Sequence, residues 1–182
     1  MAEVVQGEEA VAEVVEPADL LYYIGYMEVK HKDLHRVVGT AIIHRDGTFL
    51  ITKRSETLKV FPGKWTCPGG GLEVDDYVHT KPGRDHQWYG ALELGLRREV
   101  KEEVNIEIGK PEYLLNVTFV RPDGIPVMVF SFYAPYVSGE VVLSEEDVDY
   151  KWVRADELAD YDFIADIAGE IKMVSKILSS RL

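Results

Sequence analysis

Disulfide chemistry is the first thing this chain lacks: it holds a single cysteine, Cys67, so no intrachain bridge can form and a reducing compartment is the expected setting. No apolar run approaches the ~20 residues that a membrane-spanning helix needs. The N-terminus also lacks the basic-then-apolar layout of a secretory signal, so a cytoplasmic protein with no membrane partner is expected. Positive charge is scarce as well, with 20 Lys and Arg against 32 Asp and Glu, a net charge of -12. Such a surface repels polyphosphate strands, which argues against a nucleic acid polymer as partner. A phosphate-handling site in this field needs bound cations to offset it. What remains is the composition of an ordinary folded domain: 182 residues, 46% hydrophobic and 29% charged.

Residues 1–18 are acidic and contain Ala-Glu-Val-Val twice. They are expected to form a flexible tail, with a docked extra helix as the alternative. Residues 19–182 are expected to form one domain, since neither repeats nor a linker interrupt them. Strands are expected over residues 21–30, 36–44 and Thr48–Arg54, with Arg45-Asp46-Gly47 as the turn between the second and third. Residues 61–71 are too rich in Pro and Gly for a helix. Leu92, Leu96, Val100 and Val104 recur every fourth residue and predict a helix over residues 88–104. Strands over 113–120 and 127–136 flank a turn at Arg121-Pro122-Asp123-Gly124, a short strand covers 150–154, and an amphipathic helix covers 163–180. This order of elements implies an α/β sandwich around a mixed sheet.

The chemistry concentrates in Arg98-Glu99-Val100-Lys101-Glu102-Glu103-Val104-Asn105-Ile106. On a helix Glu99, Glu102 and Glu103 fall at i, i+3 and i+4 and share one face, and Arg98 stands where it can brace Glu102. Clustered carboxylates repel one another unless a counter-charge intervenes, and oxygen-preferring Mg²⁺ or Mn²⁺ is the natural one. A merely solvated acidic face is the competing reading. Asn105 is suited to a left-handed helix terminus. The preceding Cys67-Pro68-Gly69-Gly70-Gly71 favours the metal reading, because consecutive glycines let backbone carbonyls approach an ion.

Together these segments resemble the Nudix hydrolase family. Its signature is Gly, five residues, Glu, seven residues, then Arg-Glu-apolar-x-Glu-Glu-x-Gly-apolar, matched here by Gly70 and by Arg98, Glu99, Val100, Glu102, Glu103 and Ile106. Leu50-Ile51-Thr52-Lys53-Arg54 and Lys151-Trp152-Val153 resemble its flanks, so the likeness spans residues 35–180. Three positions depart from the pattern: Asp76 stands for the first Glu, Asn105 for the last Gly, and 21 residues separate Asp76 from Arg98 where the family has seven.

The resemblance implies an α/β/α sandwich around a mixed sheet and metal-dependent hydrolysis of a diphosphate bond in a nucleotide-type small molecule. Nucleotide-sugars, ADP-ribose and nucleoside triphosphates all stay open. It implies Gly69, Glu99, Glu102 and Glu103 as ligands of Mg²⁺ or Mn²⁺, Arg98 as the group that orients them, and Glu99 as first choice for base. Arg54 is implied as a phosphate contact, and Glu146 as a late acid completing the site, against the alternatives of an edge-strand charge and a solvated turn. A homodimer is compatible with the family. The insertion at residues 77–90 carries Lys81 and Arg84 and joins the glycine loop to the acidic helix, so a lid whose cations meet substrate competes with a surface excursion or dimer contact. Two other classes are weighed: an isomerase resembling isopentenyl diphosphate isomerase through residues 61–67, and a catalytically silent binding module. Cys67 lacks that isomerase's sequence setting, and the three retained glutamates speak against silence.

Overall fold

A long strand, β1 (Arg36–Arg45), organises the sheet in the computed structural model, which describes residues 34–121 and 124–181. β1 turns at Asp46 and Gly47, both in left-handed backbone, into β2 (Thr48–Arg54). Two short strands follow, β3 (Trp65–Thr66) on β2 and β4 (Gly69–Gly71) on β1. A one-turn helix α1 (Asp75–Val78) and a 3₁₀ turn at Arg84–His86 lead to α2 (Ala91–Val104). Then come β5 (Glu107–Ile108), β6 (Glu112–Val120), β7 (Pro126–Ser138), β8 (Asp147–Val153) and α3 (Ile167–Ser179). β1 runs parallel to β7, and every other pairing is antiparallel, so the eight strands form the expected mixed sheet.

The alternation of side chains along β1 divides the core. Ala41 and Ile43 face α2 and bury Leu96, Val100 and Val104, while Ile42 faces Ile171 and Val174 of α3. One helix therefore packs on each face of the sheet, which is the α/β/α sandwich read from the sequence. The buried stripe of α2 is the every-fourth-residue pattern itself.

Several boundaries differ from the sequence reading. α2 starts at Ala91 and not at 88, because Gly90 in left-handed backbone (φ 76°) breaks the run, and it ends at Asn105 (φ 57°), as the capping argument required. α3 begins only at Ile167, where the Asp166 side chain accepts from the Gly169 N–H at 3.2 Å. β8 begins at Asp147, three residues earlier than expected, and places Glu146 at the strand entrance. The acidic tail, the strand expected over 21–30 and the Pro122-Asp123 turn centre lie outside the described residues.

Trp65 packs edge-on against Tyr161 at 5.0 Å between ring centres, and Trp152 against Tyr136 at 5.8 Å. The Arg45 guanidinium covers both Trp152 and Tyr136, 4.2 and 4.8 Å from their centres. Both tryptophans are thus packing residues.

Candidate active site

Glycine backbone and the α2 carboxylates meet along the β4 edge. A methyl group on Gly70 would collide with the Glu99 carboxylate, and one on Gly69 with the Gly39 carbonyl. Gly69 is required, because its positive φ and the β1 backbone leave no room for a Cβ, while Gly70 and Gly71 let the Glu99 carboxylate and the Arg36 guanidinium lie close against β4. Glu103 accepts a hydrogen bond from the Gly69 N–H at 2.8 Å, which fixes the loop to the helix. Gly70→Ala should therefore displace Glu99 and lower kcat with little loss of Tm, which paired kinetics and thermal melts would measure.

Arg98 gathers the rest of the cluster. It donates to Asp76 at 2.5 and 3.1 Å, to Glu102 at 2.9 Å and to the Gly71 carbonyl at 3.0 Å, and it lies 3.1 Å from Glu99. The Asp76 side chain is only 2% exposed, tucked over Gly95 and also accepting from the Glu73 N–H at 2.8 Å. Asp76, the shorter acid at the first Glu position, thus reaches Arg98 across the entire insertion. The hydrogen bond from Arg98 holds the Asp76 carboxyl below the usual range.

Three acids, Glu103, Glu99 and Asp147, are shifted the other way. Burial pushes Glu103 up to about 8, opposed by the Gly69 N–H and reinforced by Asp147, Glu99 and Glu146. Burial also raises Glu99, against the pull of Arg98. Asp147 is buried, its carboxyl is raised mainly by desolvation, and its Oδ2 finds no hydrogen-bond partner among the described residues; the Thr52 hydroxyl lies near enough to temper the shift without closing a bond. As the side chains stand, no three His, Cys, Asp or Glu among the described residues converge on one point. The contacts show what holds them: Arg98 pairs with Glu99 and Glu102, and the Gly69 N–H holds Glu103.

A cavity of about 760 Å³ opens beside this cluster. Glu99, Glu102, Glu103, Glu146 and Gly69 line it, as do Arg98 and Arg54. Sequence reasoning placed all seven near one another, and the cavity brings them together. Lys81 and Arg84 are exposed on the insertion and do not line it. Among the lining groups that sequence reasoning gave no site role are Arg36, whose guanidinium lies against Gly71, Arg121, and Glu170 on α3. Cys67 also borders the cavity but is buried, and desolvation drives its thiol far above the usual range, so it is no nucleophile.

The NUDIX domain model matches residues 33–172, which takes in the whole arrangement just described. The chain belongs to the NUDIX domain family. As an enzyme it is a Nudix-type hydrolase. Among its relatives is the Escherichia coli nucleoside triphosphatase NudI, 29% identical over 137 residues, covering 70% of this chain and 87% of NudI. A MutT NUDIX hydrolase from Burkholderia pseudomallei superposes with a TM-score of 0.61 at 23% identity, covering 76% of this chain and 97% of its own. The NUDIX domain of Shewanella oneidensis NrtR, solved with ADP ribose, gives 0.65 at 17% identity, covering 90% and 99%. The two solved structures speak to the fold of this Nudix hydrolase.

Proposed function

We propose that this Nudix hydrolase cleaves a diphosphate bond in a nucleoside triphosphate or a nucleoside diphosphate derivative, with Mg²⁺ or Mn²⁺ at the α2 carboxylates. One observation carries the proposal: mutually repelling acids, Glu99 and Glu103 with raised carboxyls, are gathered at one end of a cavity that arginines also line. The donor set suits a hard divalent cation, since Glu99, Glu102, Glu103, Glu146 and the Gly69 carbonyl offer only oxygen. Such an ion would offset charge on the phosphates and acidify a bound water.

The chain's own groups divide the remaining work. Arg98 fixes the orientation of Glu99 and Glu102 while tied to Asp76. Glu99 is assigned as the proton acceptor, its raised carboxyl being better matched to that task near neutral pH. Arg54, anchored by its bond to the Val60 carbonyl at 3.2 Å, is assigned to the phosphates. The insertion is assigned as a lid that brings Lys81 and Arg84 to the distal end of the substrate. The name of the E. coli relative favours triphosphates, and the ADP ribose in the Shewanella structure keeps diphosphate derivatives in range.

The test is a panel of nucleoside triphosphates, ADP-ribose and nucleotide-sugars with Mg²⁺ or Mn²⁺, products read by mass spectrometry and EDTA as control. Metal-dependent release of pyrophosphate, phosphate or nucleoside monophosphate is expected. Absence of cleavage across the panel would overturn the proposal. Run on the Lys81→Ala, Arg84→Ala double variant, the same panel should show KM raised several-fold, and an unchanged KM would remove the lid from the account.

A further inference from the structure

Away from the α2 carboxylates, one face of the sheet forms a floor. Arg36, Val38 and Thr40 alternate along β1 and point into the cavity. The parallel register sets Val38 beside Val129 and Thr40 beside Ser131 on β7, and β6 continues the rows with Val117 beside Val129 and Phe119 beside Val127. The floor is therefore apolar along its valine and Phe119 rows, with Arg36 at one end and a neutral polar spot where Thr40 meets Ser131. There Thr40 Oγ1 donates to Ser131 Oγ at 3.2 Å, and Ser131 is 1% exposed.

Glu170 faces this polar spot from α3, and Ile164 and Ile167 line the cavity on the same side. Its carboxyl is raised by burial and by Asp166, and the Ser131 hydroxyl pulls it back towards the charged form. Nothing in the reaction assigned above uses this acid. It sits on the element that covers the sheet face opposite α2, and the row Gly69, Thr40, Ser131 leads from the Glu103 end towards it across two strand spacings. At ~4.8 Å per spacing the row runs about 10 Å, matching the reach of a nucleoside from its ring to its phosphates.

We infer that Glu170, backed by Ser131 and Thr40, reads the substrate's nucleobase and selects an edge that presents adjacent N–H donors, as guanine does. This deepens the proposed function and rests on it. A carboxylate is an acceptor with two oxygens side by side, so it pairs with two parallel N–H groups. Guanine offers its ring N1–H next to its 2-amino group. Adenine and cytosine offer one amino donor beside a ring nitrogen acceptor. Uracil and thymine offer one N–H flanked by two carbonyls, which oppose the charge. The valine rows supply the flat apolar surface for the ring.

The experiment compares the full-length protein with Glu170→Gln on GTP, inosine triphosphate and UTP in Mg²⁺. It also titrates methylene-bridged guanosine and uridine diphosphate analogues in Ca²⁺ by calorimetry. The native protein should prefer GTP to UTP by about 10–100-fold in kcat/KM, the discrimination of one bidentate pair, with inosine triphosphate between them. Glu170→Gln should shrink that preference about tenfold, with the change carried by KM and not by kcat. Equal base ranking in both proteins overturns the inference while hydrolysis itself leaves the proposed function standing. Loss of the guanosine preference in the calorimetric titration of the variant supports the inference even where turnover is absent. Failure of the native protein to distinguish the two analogues overturns it.

Discussion

Glu103→Gln is expected to lower kcat/KM by about three orders of magnitude and, in EDTA at pH 8, to raise the melting temperature. The first effect follows from removing a charged oxygen where a cation is proposed to stabilise several kcal/mol of developing charge, each ~1.4 kcal/mol being tenfold in rate. The second follows from linkage. The folded Glu103 holds its proton up to about 8, while an unfolded glutamate releases it near its ordinary value of 4.5. Between those limits the unfolded state binds fewer protons, so stability falls as pH rises through the window. The contribution is fully present below pH 4.5 and is lost at pH 8, unless a cation restores it. Glutamine carries no proton to lose and still accepts from the Gly69 N–H, so the slope should vanish with the loop contact intact. Thermal melts from pH 5 to 8, with and without Mg²⁺, measure this. A native protein with a flat profile in EDTA, or a variant that melts lower than native at pH 8, would contradict the account. The Mg²⁺-induced rise in Tm should also shrink in the variant.

What the sequence disclosed and what it hid follow from distance along the chain. The acidic helix was legible because its apolar stripe and its carboxylates are both local patterns, three and four residues apart. Asn105 was legible as a terminus for the same reason, since one residue type at one position signals left-handed backbone. Glu170 was not, because its meaning depends on Ser131 and Thr40, which come from two strands and lie 39 and 130 positions earlier. Within α3 the sequence showed only Ile171, Val174 and their apolar neighbours, and a single Glu among them reads as a solvent-facing residue. Asp147 was hidden by a strand boundary: with β8 expected to begin at 150, it read as part of a loop, yet pairing with β2 buries it. The strands β3 and β4 span two and three residues, too few to show any alternation.

Arg98→Ala should cost the fold more than any surface charge on this chain, with Tm lowered by roughly 5–10 °C. Its loss strands Asp76, whose side chain is 2% exposed, with the Glu73 N–H as its remaining donor among the described residues. Breaking a buried pair from one side typically costs about 3–5 kcal/mol, and the 27% exposure of Arg98 argues for the lower half of that range or below. At about 2–4 °C per kcal/mol for a domain of this size, ~2–3 kcal/mol gives the stated shift. The pH signature runs opposite to that of Glu103. Asp76 is held below its ordinary value by Arg98, so its stabilising contribution is present above the unfolded carboxylate range and is lost as pH falls through the folded value. The variant should lose this acid-side dependence and melt low across the neutral range. Arg98→Lys keeps the charge but cannot fork between Asp76 and Glu102, and it should fall between native and alanine. The same pair explains how the family motif tolerates its interruption. Asp76 and Arg98 close the excursion at its base, and lengthening a closed loop adds little entropy cost, about 0.6 kcal/mol per doubling. Shortening residues 77–90 to a tight turn should therefore leave the Arg98 contacts, the Tm and the cation-dependent stabilisation close to native, with substrate KM the quantity that moves.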